Sequence, residues 1–395
     1  MCFYILMILY ITNLITVSNM VKYLLLFSFL LGCSVFVKAQ NTAVNINGSK
    51  GNAITTAVPF LDITPDARSG GMGEAGVAIS PDASATFWNP SKLAFVTESS
   101  DISLSYTPWM RQLTPDINLG YLSYYKKLDD RNTIAASMRY FNLGNVDGYD
   151  NNFNSLGTLH PNEYSFDVSL ARKFGEGFSL GLTARYIHSD LTQGAGGNQA
   201  SAANGFAADA SMYYRSTSNF AFGVDISNIG TKMNYSIGQP SYFLPTNLKI
   251  GAAQTVDMDD LNKITFTVDL NKLLVPTPRT YTVNGTTTTD NGQDVSIVNG
   301  IFESFSDAPG GFKEELQEIS VSPGVEYWYN KQLALRAGYL YENPNKGDRH
   351  YLTFGVGYRF DNLGLDFSYV AASEQSTPLA GGVRFSLNYS FGSIK

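Results

Sequence analysis

Cysteine, histidine and charge are scarce in this chain. Of 395 residues two are Cys and three are His, and Asp, Glu, Lys and Arg together make 15%. Both cysteines, Cys2 and Cys33, fall in the N-terminal leader, so the remainder offers no disulfide, thiol nucleophile or zinc–thiolate site. His160, His188 and His350 stand apart, in no paired metal-binding spacing, and no local nucleophile signature occurs. Nothing in the sequence therefore argues for an enzyme, a bound metal or a cofactor. The net charge of −7 gives no basic footprint for nucleic acid. Beyond the leader no run of apolar residues is long enough for a membrane-crossing helix.

The leader itself reads as an export signal. From Met20 it has Lys22, then apolar Tyr23 to Val37, then Val37-Lys38-Ala39 ahead of Gln40. Residues 1–39 are thus expected to be removed. Met20 is the expected true start, because residues 1–19 are an uncharged apolar extra; an inner-membrane anchor is the rival reading. Leu31-Gly32-Cys33 partly fits a lipoprotein box, but apolar Val35-Phe36-Val37 continues past it. Export without a helical anchor leaves the periplasm, the outer membrane or the medium.

What the chain does have is alternation. In Val383-Arg384-Phe385-Ser386-Leu387-Asn388-Tyr389-Ser390-Phe391, one face is Val, Phe, Leu, Tyr, Phe and the other Arg, Ser, Asn, Ser. Similar runs from about residue 99 onward predict fourteen strands, the even count of a single-chain transmembrane β-barrel. The second strand is read with Ile117, Leu119 and Tyr121 on its lipid face. Arg139, Asp167, Arg185, Asp225, Lys249, Asp269, Glu326, Arg336, Arg359, Asp366 and Arg384 fall on the opposite faces. They point inward by elimination, since a charge facing lipid costs roughly 2–4 kcal/mol near the midplane. Their mixed signs suit a packed, salt-bridged lumen.

The connections sort by parity. After even-numbered strands they are tight and polar, as at Leu128-Asp129-Asp130 and Asp361-Asn362; after odd-numbered strands they are mostly long, up to Asn271–Glu318. Short turns face the periplasm in such barrels, so both termini are expected there and the long loops outside. The division is 1–39 leader, 40–98 a periplasmic or plug segment, and 99–395 the barrel.

Gly71-Met72-Gly73-Glu74-Ala75-Gly76 matches a dinucleotide-binding pattern but lies in no βαβ unit, so small residues for close packing explain it better. Asp290-Asn291-Gly292-Gln293-Asp294 has the composition of a calcium loop without its ligand spacing. The long loops hold the better candidates. Trp109 and Met110 in the first, Tyr242, Phe243 and Leu244 in the fourth, and Phe302, Phe305, Phe312 and Leu316 in the fifth are aromatic or apolar residues suited to anchor a protein partner.

The stretch from Asp66 to Ala78 and that from Asp82 to Ala94 together resemble the plug region of FadL-like outer-membrane barrels. Gly71, Gly73, Gly76, Asn89 and Pro90 carry the motif; Ser91 stands where that superfamily has alanine. Within it the chain resembles the PorV (LptO) family of the type IX secretion system of Bacteroidetes, through Thr56-Ala57-Val58-Pro59-Phe60-Leu61-Asp62-Ile63-Thr64-Pro65-Asp66-Ala67-Arg68. That resemblance implies a non-enzymatic export component. Its implied partners are a giant outer-membrane translocon barrel, cargo proteins with a C-terminal secretion domain, a surface sortase and attachment complex, and the surrounding lipopolysaccharide. The alternative, by superfamily analogy, is a transporter of hydrophobic small molecules.

Overall fold

The computed structural model describes residues 53–111, 114–149, 153–193, 201–236, 240–283, 286–372 and 379–392. The leader and the expected cleavage point before Gln40 lie outside the described residues. The first strands in chain order are β1 (Ser100–Pro108), β2 (Asn118–Lys127), β3 (Asn132–Asn142), β4 (Val146–Tyr149), β5 (Ser155–Leu159) and β6 (Asn162–Lys173). Next come β7 (Phe178–Asp190), β8 (Ala203–Arg215), β9 (Phe220–Gly230), β10 (Asn247–Asp257), β11 (Asn262–Leu273) and β12 (Arg279–Val283). The remainder are β13 (Thr286–Asp290), β14 (Ser320–Tyr329), β15 (Leu333–Tyr341), β16 (His350–Phe360), β17 (Leu363–Ala371) and β18 (Val383–Ser390).

Fourteen of these form one closed antiparallel barrel in which β1 pairs with β18; β4–β5 and β12–β13 are separate two-stranded hairpins inside the long connections. Closure leaves no sheet edge unpaired in hydrocarbon, as a spanning sheet requires. Outward positions are apolar and exposed, among them Leu104, Phe166, Leu182, Phe206, Leu335, Phe354, Leu365 and Phe385. Arg139, Asp167, Arg185, Asp225, Lys249, Asp269, Glu326, Arg336, Asp366 and Arg384 are all buried in the lumen.

One strand faces the other way from the sequence expectation. β2 pairs Leu122 with Leu104, so Leu122 and Tyr124 face outward. Leu119 and Tyr121, each 1% exposed, point into the lumen. A one-residue shift exchanges every side chain between faces, and β2 is apolar on both. The lumen accepts its aromatic face because the plug fills it: the Tyr121 hydroxyl hydrogen-bonds Thr86 at 2.5 Å, and its ring meets Phe87 edge-on at 6.5 Å.

Connections after even barrel strands are short, from two residues (Asp361-Asn362) to four (Leu128–Arg131), and those at the other end are long. Two of the short turns share one device. Asp129 accepts the backbone N–H groups of Arg131 and Asn132 at 2.7 and 2.9 Å, and Asp259 those of Leu261 and Asn262 at 2.9 and 2.8 Å.

The chain ahead of β1 runs through the lumen in short helical pieces: Pro59–Asp62, Ala67–Gly70, Ala85–Trp88 and Pro90–Phe95. Asp66 caps the second by accepting the Ser69 N–H at 2.8 Å, and Asn89 caps the fourth by accepting the Ser91 N–H at 3.2 Å. Nearly all of Thr64–Ile79 and Ala83–Val96 is buried.

Candidate functional site

The lumen is held by ion pairs that join plug to wall. Arg68, on the Ala67–Gly70 helix, donates to both Glu326 oxygens at 2.9 and 2.8 Å and to Asp82 at 2.7 Å. Arg336 donates to Glu326 at 2.7 Å and to Asp366 at 2.8 Å, and Arg359 reaches Asp366 at 2.7 Å. Across the barrel Arg185 bridges Asp167 and Asp209 at 2.7 Å each, while Arg139 donates to the Leu61 carbonyl at 2.7 Å. A third tie pairs Arg384 with Glu74 at 2.7 Å, with Tyr351 donating to the same carboxylate at 2.9 Å. Each of these charges has a geometric partner, as buried charges require. Lys92, in the plug, donates to the Gly76 carbonyl at 2.5 Å, and burial pulls its ammonium down to about 8.

The motif residues fit the plug into the wall. Gly73 has φ +71°, its N–H donates to Thr353 at 2.7 Å, and a Cβ there would lie 2.6 Å from the Tyr339 backbone. A Cβ on Gly76 would enter the Trp88 ring, and one on Gly71 would reach the backbone of Gly355. Gly76 and Val77 give their N–H groups to Asp269 at 2.7 and 2.8 Å. Asn89 donates to the carbonyls of Val77 and Met212 at 3.2 and 3.0 Å, and Pro90 opens the following helical turn. The wall is relieved to match: Cβ atoms on Gly324 and Gly338 would lie 2.5 and 2.0 Å from the Met72 backbone. Sequence reading missed these wall glycines. Their signal is a glycine at a lumen-facing position in several strands.

The loop candidates divide. Phe302 and Phe312, 72% and 77% exposed, stand on two short helices, Ile297–Glu303 and Phe312–Gln317; exposed Leu316 is on the second, and exposed Phe305 follows the end of the first. Phe243 and Leu244, 5% and 1% exposed, depart from the expectation of exposed anchors. The Phe243 carbonyl accepts the Ala57 N–H at 2.8 Å, the Lys232 ammonium lies 4.1 Å over its ring, and Leu244 joins the apolar core around Phe60. They are inside because full burial of such a side chain is worth about 1.5–3 kcal/mol. Tyr242 stays exposed, its backbone paired with Met233. Trp109 packs half-buried on the core around Phe60, and with Met110 lines a shallow groove against Leu379–Gly382 on the β1–β18 side.

The fifth long loop is pinned to the rim. Lys272 pairs with Glu315 and Glu318 at 3.1 and 2.5 Å, and Lys346 with Glu314 and Glu318 at 2.6 and 2.9 Å. Burial raises the Asp307 carboxyl, which accepts the Thr277 N–H at 2.9 Å. Between loop and plug lies a polar chamber of about 70 Å³, lined by Asp62, Glu74, Trp88, Asn247, Lys249 and Arg349 among others.

A family model described as type IX secretion system protein PorV matches residues 46–280. Among solved structures the chain is similar to the P. putida toluene transporter TodX, at 13% identity and a TM-score of 0.50, covering 83% of this chain and 99% of that one. The Ralstonia pickettii toluene transporter TbuX is similar at 14% identity and a TM-score of 0.49, covering 83% and 98%. A Pseudomonas aeruginosa FadL homologue is similar at 14% identity and 0.47, covering 83% and 99%. No curated protein sequence matches the chain.

Proposed function

The chain belongs to the PorV family of type IX secretion system proteins and is an outer-membrane β-barrel, and from that premise we propose that it receives exported cargo at its long-loop end. It takes proteins bearing the C-terminal secretion domain from the giant translocon barrel and carries them to the surface attachment and sortase complex. In this reading the short turns and both termini face the periplasm and the long loops face outward. The barrel itself performs no chemistry; it supplies a surface.

The observation that carries the reading is the pairing of a filled, ion-paired lumen with the exposed Phe302, Phe305, Phe312 and Leu316 on a loop pinned to the rim. Clustered apolar side chains on a held loop are what a protein partner can anchor to. Transport of hydrophobic small molecules has the shared fold in its favour and the lumen against it. The 70 Å³ chamber is polar, whereas an apolar cavity of about 150 Å³ is what takes up benzene.

The test is complementation of a deletion strain with Phe302→Ser/Phe312→Ser. Cargo release should fall while barrel abundance and heat-modifiable gel migration stay normal. Normal release would remove this loop from the cargo site.

A further inference from the structure

The chamber under the fifth loop carries one unbalanced charge. Glu74 is taken by Arg384 at 2.7 Å and Tyr351 at 2.9 Å. Glu318 is taken by Lys272, Lys346 and Thr277 at 2.5, 2.9 and 2.8 Å. Of the two cations, Arg349 grips Glu342 through two hydrogen bonds at 2.9 and 3.1 Å. Lys249 lies 3.9 Å from Asp225 and 4.6 Å over the Phe87 ring. Asp62 is left over: its Oδ1 accepts no hydrogen bond, and no described cation forms an ion pair with it.

Two further acceptors in the lining are unused. Asn247 Oδ1 and Ser322 Oγ have no hydrogen-bond partner, and these residues are 9% and 0% exposed. A buried acceptor left unmade costs about 1–3 kcal/mol, so the set calls for a guest with several N–H donors and one positive charge. An inorganic ion fits poorly, because among the described residues no three carboxylates or histidines lie close enough to hold a metal. The volume admits a few heavy atoms, and the half-exposed Asp62, Asn271 and Arg349 show that it communicates with solvent.

We infer that this chamber is a binding site for a single ammonium or guanidinium group, held by Asp62, Asn247 and Ser322. Such a group comes either on a small organic cation or on a lysine or arginine side chain of a polypeptide segment. The second source rests on the cargo-receiving reading; the site itself does not.

Full-length protein in detergent is titrated calorimetrically with N-acetyl-lysine amide, N-acetyl-arginine amide and, as the uncharged control, N-acetyl-norleucine amide. Saturable binding of at least one cationic probe, none of the control, and at least a tenfold loss in both Asp62→Asn and Ser322→Ala are expected. The fold of each variant is checked by heat-modifiable migration. A pentapeptide, Gly-Ser-Lys-Ser-Gly with blocked ends, separates the sources: tighter binding than the lysine amide supports a polypeptide, and equal binding a free cation. Absence of saturable binding to the wild-type barrel, or equal binding to Asp62→Asn, overturns the site, whatever the outcome of the secretion assay.

Discussion

Replacing Glu326 by alanine tests whether ion pairs hold the plug. Glu326 is 1% exposed and accepts three hydrogen bonds, at 2.9 and 2.8 Å from Arg68 and 2.7 Å from Arg336. Its loss takes one carboxylate partner from each of two buried guanidiniums. Arg68 keeps Asp82, whose side chain is 29% exposed, and Arg336 keeps Asp366. Removing one partner of a buried pair costs about 3–5 kcal/mol, because the remaining charge stays desolvated. The Asp82 contact is partly solvated and is worth about 1 kcal/mol at most. Glu326→Ala should therefore lower stability by about 3–5 kcal/mol, with Glu326→Gln between it and the wild type and Asp82→Ala close to the wild type. The assay is urea unfolding in phospholipid vesicles, followed by heat-modifiable migration, with protease nicking of residues 53–98 as the local readout. A Glu326→Ala barrel within about 1 kcal/mol of wild type, with an equally protected plug, refutes the reasoning.

Three other outcomes follow from the same geometry. Gly338→Val, which puts side-chain atoms where the Met72 backbone lies, should cost about 1–3 kcal/mol or expose the plug to protease; Gly120→Ala, with nothing nearer than 4.0 Å, should be neutral by the same assay. Lys92 titrates near 8 in the fold against 10.5 when free. Below pH 8 the full cost of the buried ammonium is present, and between 8 and 10.5 the unfolded chain holds the extra proton, so stability rises with pH. Comparing urea midpoints at pH 7 and 9.5 should show that rise in wild type and its loss in Lys92→Met. Lys272→Ala removes the ion-pair partner of Glu315 and one of the two lysines on Glu318 and should make the 297–317 segment protease-sensitive while the barrel stays folded.

Much of the barrel was legible because lipid imposes one rule on every strand. Arg139, Arg185 and Glu326 had to point inward, and they do; the even count and the alternation of turn lengths also hold. β2 escaped the rule because Leu119, Tyr121, Leu122 and Tyr124 make both faces apolar, and only the pairing of Leu104 with Leu122 decides between them. The loops follow no such constraint. The β4–β5 and β12–β13 hairpins were not expected, and Phe243 and Phe302 read alike in sequence although one is buried and the other exposed. What separates them is the Ala57 N–H bound to the Phe243 carbonyl, a contact across 186 positions that local pattern does not encode. The chamber was hidden for the same reason: Asp62, Asn247 and Ser322 meet only after the plug enters the barrel.

The central claim is that this barrel works by holding cargo at its long-loop end. The most direct test is a mild-detergent pull-down of a tagged copy from native outer membranes, with mass spectrometry of what accompanies it. Recovery of a very large barrel together with proteins that end in one common C-terminal domain is the predicted result. A solitary barrel that carries bound hydrophobic small molecules, with no such proteins, would contradict it.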